Sequence, residues 1–317
     1  MSEPVYVDPQ MLPILQAMRE RAAADPWVPG RDPRQMRQRL RADLARWNVD
    51  PPPLARVEDL VFDGPTGPVT VRRYDPVGGS RPQPALLYLH GGGWVAGDLE
   101  TEDRASRLLA VASGVTVLSA DYPLAPEHPF PVPVEACRAV WKAAHAGGAA
   151  LGIDRGRLAL GGSSAGANLA LACALTLRDA GEPLPRFLLL NYGAYGDGSD
   201  TASARRFGDG SFGLGRAQME YFRSLYLQQP DDRHDPRAAP LLADLRGLPA
   251  TFMTAAALDP LLADSLELDT RLAAAGVPHR CIVYPGVVHG FTLMSLSLGA
   301  ARAAIEEAAA ALRAALA

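Results

Sequence analysis

Cysteine is scarce in this chain: Cys137, Cys173 and Cys281 are the only three in 317 residues. An odd number, each inside an apolar and regular-looking segment, argues against a disulfide framework. Lysine is scarcer still, with Lys142 alone against abundant arginine, a bias that reflects genome composition more than function. No stretch approaches the roughly 18 uninterrupted apolar residues of a membrane span. Met1-Ser2-Glu3-Pro4 offers no positive region followed by an apolar run, so no secretion signal is expected either. The expectation is a cytoplasmic protein without a membrane partner. A formal net charge of −4 gives no hint of nucleic acid as a partner. Dinucleotide fingerprints and clustered metal ligands are also lacking, so no cofactor and no metal are expected.

What is present suits one large α/β core with a small accessory lid, since 317 residues at 48% hydrophobic content can bury a sizeable interior. From about Glu58 onward, strand-like and helix-like runs alternate. The strand-like runs are Val69 to Tyr74, Ala85 to Leu89, Val115 to Ala120, Arg157 to Leu160, Phe187 to Leu190, Thr251 to Ala256 and Arg280 to Tyr284. That alternation predicts a mostly parallel central sheet flanked by helices. The alanine-rich stretch 299–317 carries Ile305 and Leu312 seven apart and suits a closing helix. Arg81-Pro82-Gln83-Pro84 and Pro51-Pro52-Pro53 read as loops.

Two regions fall outside the alternation. Residues 1 to about 55 hold two helix-like stretches, Gln10 to Ala24 and Arg34 to Trp47, the second with arginines alternating with Met36, Leu40 and Leu44 as on a solvated helix face. Residues from about 196 to 229 form an insert rich in large apolar side chains, among them Phe212, Leu214, Met219, Tyr221, Phe222 and Tyr226. The remainder, 56–317 less the insert, is the catalytic α/β domain in this reading.

Gly162-Ser163-Ser164-Ala165-Gly166 is a G-x-S-x-G between the strand-like run ending at Leu160 and the helix-like run from Asn168 to Leu177. This is the sequence form of a nucleophile elbow, in which a serine on a tight strand-to-helix turn projects Oγ outward. Ser164 is the candidate nucleophile. Ser163 has the wrong register and reads as a structural or pocket residue. The Ala165 N–H lies at a helix start, where unpaired donors and the helix dipole favour an anion.

His90-Gly91-Gly92-Gly93-Trp94 follows a second strand-like run. Three consecutive glycines cost backbone entropy, and they make sense where main-chain N–H groups must approach a ligand closely. The Gly92, Gly93 and Ala165 amides are the candidate oxyanion donors. A phosphate loop would need a following Lys and Ser/Thr, which this segment lacks.

A serine on such an elbow is followed along the chain by the acid and then by the base. Of six histidines, His234, His279 and His289 lie after Ser164. His289 sits in a loop beyond the last strand, where its ring can reach the C-terminal sheet edge, so it is the candidate base. His90 reads as a structural residue of the glycine loop. Thr251 to Ala256 is a strand leading to Leu258-Asp259-Pro260, which makes Asp259 the orienting acid. Asp264 is the competitor, placed in the next helix as a surface carboxylate.

These motifs together resemble the hormone-sensitive-lipase-like branch of bacterial esterases, a family of the α/β-hydrolase fold. The resemblance covers most of the chain. It takes in the His90 to Trp94 loop, Asp121-Tyr122-Pro123-Leu124-Ala125-Pro126-Glu127 with Phe130-Pro131, the elbow, Leu258-Asp259-Pro260-Leu261 and His289-Gly290-Phe291. It implies a triad of Ser164, Asp259 and His289, an oxyanion hole of Gly92, Gly93 and Ala165, a helical cap formed by residues 1–55 and about 196–229, and a short-chain acyl ester as substrate. It also implies a homodimer formed across a sheet edge. Relatives commonly carry Asp or Thr where this chain has Ser163, and Arg where it has Pro123; without that arginine no family ion pair carries over to Glu127, which reads as a buried structural carboxylate and not a catalytic one. Trp94, Phe212, Leu214, Val288 and Phe291 are the expected pocket residues. An amidase or acyltransferase with the same triad, a ligand-binding protein on a degenerate fold, and a lipase acting at interfaces are the alternatives.

Overall fold

The computed structural model describes residues 5–79, 82–198 and 200–317. The N-terminal tetrapeptide, Arg81 of the proline-rich loop and Ser199 of the insert lie outside the described residues. Eight strands form one sheet: β1 (Arg56–Gly64), β2 (Gly67–Asp75), β3 (Gln83–Leu89), β4 (Thr116–Ala120), β5 (Ile153–Ser163), β6 (Phe187–Asn191), β7 (Ala250–Leu258) and β8 (His279–Val288). Their spatial order is β1-β2-β4-β3-β5-β6-β7-β8. β1 and β2 pair antiparallel, as do β2 and β4, while every pair from β4 across to β8 is parallel.

The central strands read as continuous apolar runs because both faces are covered. Leu87, Leu118, Leu160 and Leu188 face one layer, containing α4 (Val132–Gly147) and α5 (Ala165–Asp179). The alternating Leu86, Val117, Ala159 and Leu189 face the other, where α3 (Asp103–Ser113) and α9 (Gly299–Ala315) pack. α5 is buried almost all round, from Ala165 to Leu177, as expected of a helix apolar on every side. α8 (Leu262–Ala274) completes the first layer through Leu268 and Leu272.

β1 was not among the expected strands. Its exposed positions mix charge, at Arg56, Asp59 and Asp63, with Val57 and Val61, and only Phe62 is buried, as befits an edge. The other edge also departs from expectation, because β8 runs on through Pro285-Gly286 to Val288 rather than stopping at Tyr284. Proline is tolerated there because an edge strand leaves one side unpaired. A register irregularity between Ala256 and Leu258 lets β7 and β8 stay paired while their ends bend toward the site.

Outside this core stand α1 (Met11–Ala24), α2 (Pro33–Ala45), α6 (Ala202–Phe207) and α7 (Arg216–Tyr226). The N-terminal segment and the insert touch each other, with the Trp27 and Tyr221 ring centroids 6.0 Å apart and the Tyr221 hydroxyl donating to the Arg31 carbonyl. Arg37 of α2 ties the N-terminal segment to the core by donating to the Val95 and Ala125 carbonyls. It also pairs with Glu127 at 2.9 Å. Glu127 is therefore a half-exposed carboxylate with an ion-pair partner, held below its usual pKa by the Arg37 guanidinium. The expectation of a buried group fails, and the partner it does have comes from 90 residues upstream.

Candidate active site

The elbow is built by backbone crowding. Ser164 sits between β5 and α5 at φ 53° and ψ −118°, a conformation costly for a residue with a Cβ. The glycines around it have no freedom to be anything else: a Cβ on Gly166 would lie 1.9 Å from the Leu89 carbonyl oxygen, and one on Gly162 would lie 2.5 Å from Gly166. The strained turn turns Oγ outward, toward the loops that follow β7 and β8.

Those loops supply the rest of the row. His289 directly follows β8, and its Nε2 lies 2.8 Å from the Ser164 Oγ. Its Nδ1 lies 2.7 Å from Oδ2 of Asp259, the residue after β7. A carboxylate oxygen accepts, so Nδ1 carries the proton and Nε2 is left free to accept from the serine hydroxyl. Asp259 is 1% exposed, and its other oxygen accepts from the Leu261 N–H, which fixes the carboxylate plane. The Tyr192 ring meets the imidazole edge-on at 5.1 Å and closes its inner side.

The glycine loop after β3 faces this row. Gly92 and Gly93 have φ of +127° and +63°, conformations open to glycine. Among the described residues neither of their N–H groups has a backbone or side-chain acceptor. The Ala165 N–H, at the first residue of α5, has no intrahelical acceptor either. The loop is braced from behind by His90, whose Nδ1 lies 2.8 Å from the Gly91 carbonyl and whose ring stacks on Tyr122 at 4.3 Å.

Ser164, His289 and the three donor residues open on one cavity of ≈ 390 Å³. Trp94 and Leu214 lie on its wall, together with Met36, Leu40, Met219 and Phe222. Phe212, Val288 and Phe291, expected in the pocket, lie elsewhere. Val288 and Phe291 are fully buried in the cluster beneath the row, and Phe212 packs edge-on against Phe207. Val288 is the last residue of β8, and its side chain points away from the face that the next residue, His289, uses.

Asp264 is also placed differently from expectation. It is buried rather than on the surface and accepts from the Tyr195 and Gly196 N–H groups at 2.8 Å each, organising the loop after β6. Two polar residues went unnoticed in the sequence. Asn168 is buried within α5 and holds Trp94 by its indole N–H while donating to the Ala194 and Ala238 carbonyls. Its signal was a lone amide in an apolar run. Glu102 is the second, a buried carboxyl at the start of α3.

Known proteins resemble this chain in sequence and fold. A family described as the alpha/beta hydrolase fold matches residues 86–293. The acetyl esterase of Salmonella paratyphi B (strain ATCC BAA-1250 / SPB7) is 37% identical over 291 residues, spanning 90% of this chain and 88% of that protein. An ester-hydrolase from the metagenome of Lake Arreo, complexed with a derivative of bipyridine phosphonate, has a TM-score of 0.93 at 35% identity, covering 98% of this chain and 99% of that one. An esterase from Pyrobaculum calidifontis gives a TM-score of 0.91 at 34% identity over 98% of this chain and 100% of its own. Since the family match runs through the glycine loop, the elbow and both strand ends that carry Asp259 and His289, the chain belongs to the α/β-hydrolase family, in its hormone-sensitive-lipase-like branch.

Proposed function

We propose that Ser164, His289 and Asp259 are the nucleophile, base and orienting acid of this enzyme, and that its substrates are short-chain acyl esters. The chain is a serine carboxylesterase of the α/β-hydrolase superfamily. The observation that carries the residue assignment is the unbroken row from Ser164 Oγ through both nitrogens of His289 to Asp259, at 2.8 and 2.7 Å.

In this mechanism His289 Nε2 takes the Ser164 proton as Oγ attacks the ester carbonyl. The Gly92, Gly93 and Ala165 N–H groups receive the charge that develops on the carbonyl oxygen. The imidazolium, stabilised by Asp259, then protonates the departing alcohol. Water enters, loses its proton to the same nitrogen and releases the acid from Ser164. The short-chain preference draws support from the acetyl esterase relatives and from the modest, apolar-walled cavity, at the small end of ligand sites.

The N-terminal segment and the insert act as the cap in this reading, because α1, α2 and α7 all contribute to the cavity wall. Residence in the cytoplasm fits three free thiols, Cys137, Cys173 and Cys281, and a homodimer across a sheet edge belongs to the same proposal, read by light scattering. Among the described residues no helix is long and apolar enough to cross a membrane.

Hydrolysis of p-nitrophenyl esters from acetate to palmitate, by wild type beside Ser164→Ala, tests the proposal. Turnover confined to short chains and lost in the variant is the expected result. Undiminished turnover in Ser164→Ala would remove the nucleophile assignment, and a palmitate optimum would remove the short-chain one.

A further inference from the structure

The Ser164 row and the glycine loop come from different strands, β5 and β3, and one buried atom joins them. Glu102 is 4% exposed at the start of α3. Its Oε1 accepts from the Gly91 N–H at 2.7 Å and from the Ser163 hydroxyl at 2.6 Å. Gly91 immediately precedes the Gly92 and Gly93 donors, and Ser163 immediately precedes Ser164. The second oxygen, Oε2, is buried without a hydrogen-bond partner among the described residues, so Oε1 alone makes the tie.

We propose that Glu102 is a positioning residue that sets the oxyanion donors of the glycine loop at their working distance from Ser164. The inference rests on the esterase reading above. A group bridging two loops fixes their separation, and oxyanion stabilisation is sensitive to that separation because the donors must meet the oxygen where it sits in the transition state. The contact also gives Ser163 a role, since the start of α3 supplies the carboxyl and the elbow supplies the hydroxyl that meets it. Space is tight at the same step, since a Cβ on Gly91 would sit 3.1 Å from the Ser163 Oγ and 3.3 Å from Oε1, and the tie would have to give by a few tenths of an ångström to admit it. Burial pushes the Glu102 pKa upward, against the pull of its two donors.

The test compares Glu102→Ala, Glu102→Gln and Ser163→Ala on p-nitrophenyl acetate. Each is also inhibited with a short alkyl trifluoromethyl ketone, which forms an oxyanion adduct with a serine nucleophile, and with the matching methyl ketone as a ground-state control. Glu102→Ala should lower kcat roughly ten- to a hundredfold with KM within about twofold, and weaken the trifluoromethyl ketone in proportion while sparing the methyl ketone. Glu102→Gln keeps a carbonyl acceptor and should recover most of kcat. Circular dichroism reports folding. If Glu102→Ala does not fold, the decision passes to Ser163→Ala, which loses one arm of the tie and should show a severalfold loss with the same inhibitor signature.

A kcat within twofold of wild type in the folded Ala variant, or in Ser163→Ala where that decides, would overturn the proposal. So would a loss that falls on KM and on both ketones alike, or a Gln variant as slow as Ala. Turnover surviving in Ser164→Ala would instead count against the esterase reading itself.

Discussion

The Ser164–His289–Asp259 row and the cavity wall belong to one site but are specified in different ways. The row stands at strand ends, where backbone crowding dictates the residues: Gly162 and Gly166 because nothing larger fits, Ser164 because the strained turn projects its Oγ. The wall is assembled from side chains on α1, α2, α7 and the loops, and its apolar members, such as Leu214 and Met219, are interchangeable with other apolar residues. Chemistry is therefore written in short local motifs, while the shape of the pocket is written in tertiary packing.

If that contrast holds, substitutions in the row should cost activity without reshaping selectivity, and substitutions in the wall should do the reverse. The largest expected effect is Asp259→Asn, which should reduce kcat by about 10⁴-fold by removing the acceptor that fixes the His289 tautomer, with the chain-length optimum unmoved. Steady-state kinetics across an ester series reads both quantities. Gly166→Ala comes next. Its Cβ would lie 1.9 Å from the Leu89 carbonyl, so stability should fall by about 3 kcal/mol or more in urea unfolding, with activity lost at the same time. A stable and active Gly166→Ala would show that the elbow is not crowded as described.

The smallest effects sharpen the comparison most, because they fall two residues apart. Leu214 is on the wall and Phe212 is in the packing against Phe207. Leu214→Ala should raise the relative kcat/KM for longer acyl chains by roughly tenfold, the scale of a few methylene contacts. Phe212→Ala should lower stability by about 1–3 kcal/mol and leave the chain-length profile in place. The opposite outcome, selectivity following Phe212, would break the distinction between wall and packing.

The same contrast explains what could be read from the chain alone. The central parallel strands were legible because residues such as Leu86 to Leu89 are apolar on both faces, and the motif residues followed from their position at strand ends. β1 was hidden by Glu58, Asp59 and Asp63, charges spread over both of its faces, and the end of β8 was hidden by Pro285-Gly286, which signals a turn almost anywhere but an edge. Val288 and Phe291 flank His289 along the chain but pack beneath it, and Phe212 is one of the insert's large apolar side chains that serve packing instead of the cavity. Glu127 and Glu102 show the limit most plainly. One is matched by Arg37 and the other by Gly91 and Ser163, and no local pattern announces a partner that folding alone brings close.

The account turns on Ser164 being the activated group of the row. Labelling with a fluorophosphonate, followed by tryptic digestion and fragmentation of the peptide 158–178, tests this directly, because fragmentation separates Ser163 from Ser164. A single adduct on Ser164, its rate sharply reduced in Asp259→Asn, is the predicted result. An adduct on Ser163 or elsewhere, or no adduct in a protein that still turns over esters, would contradict it.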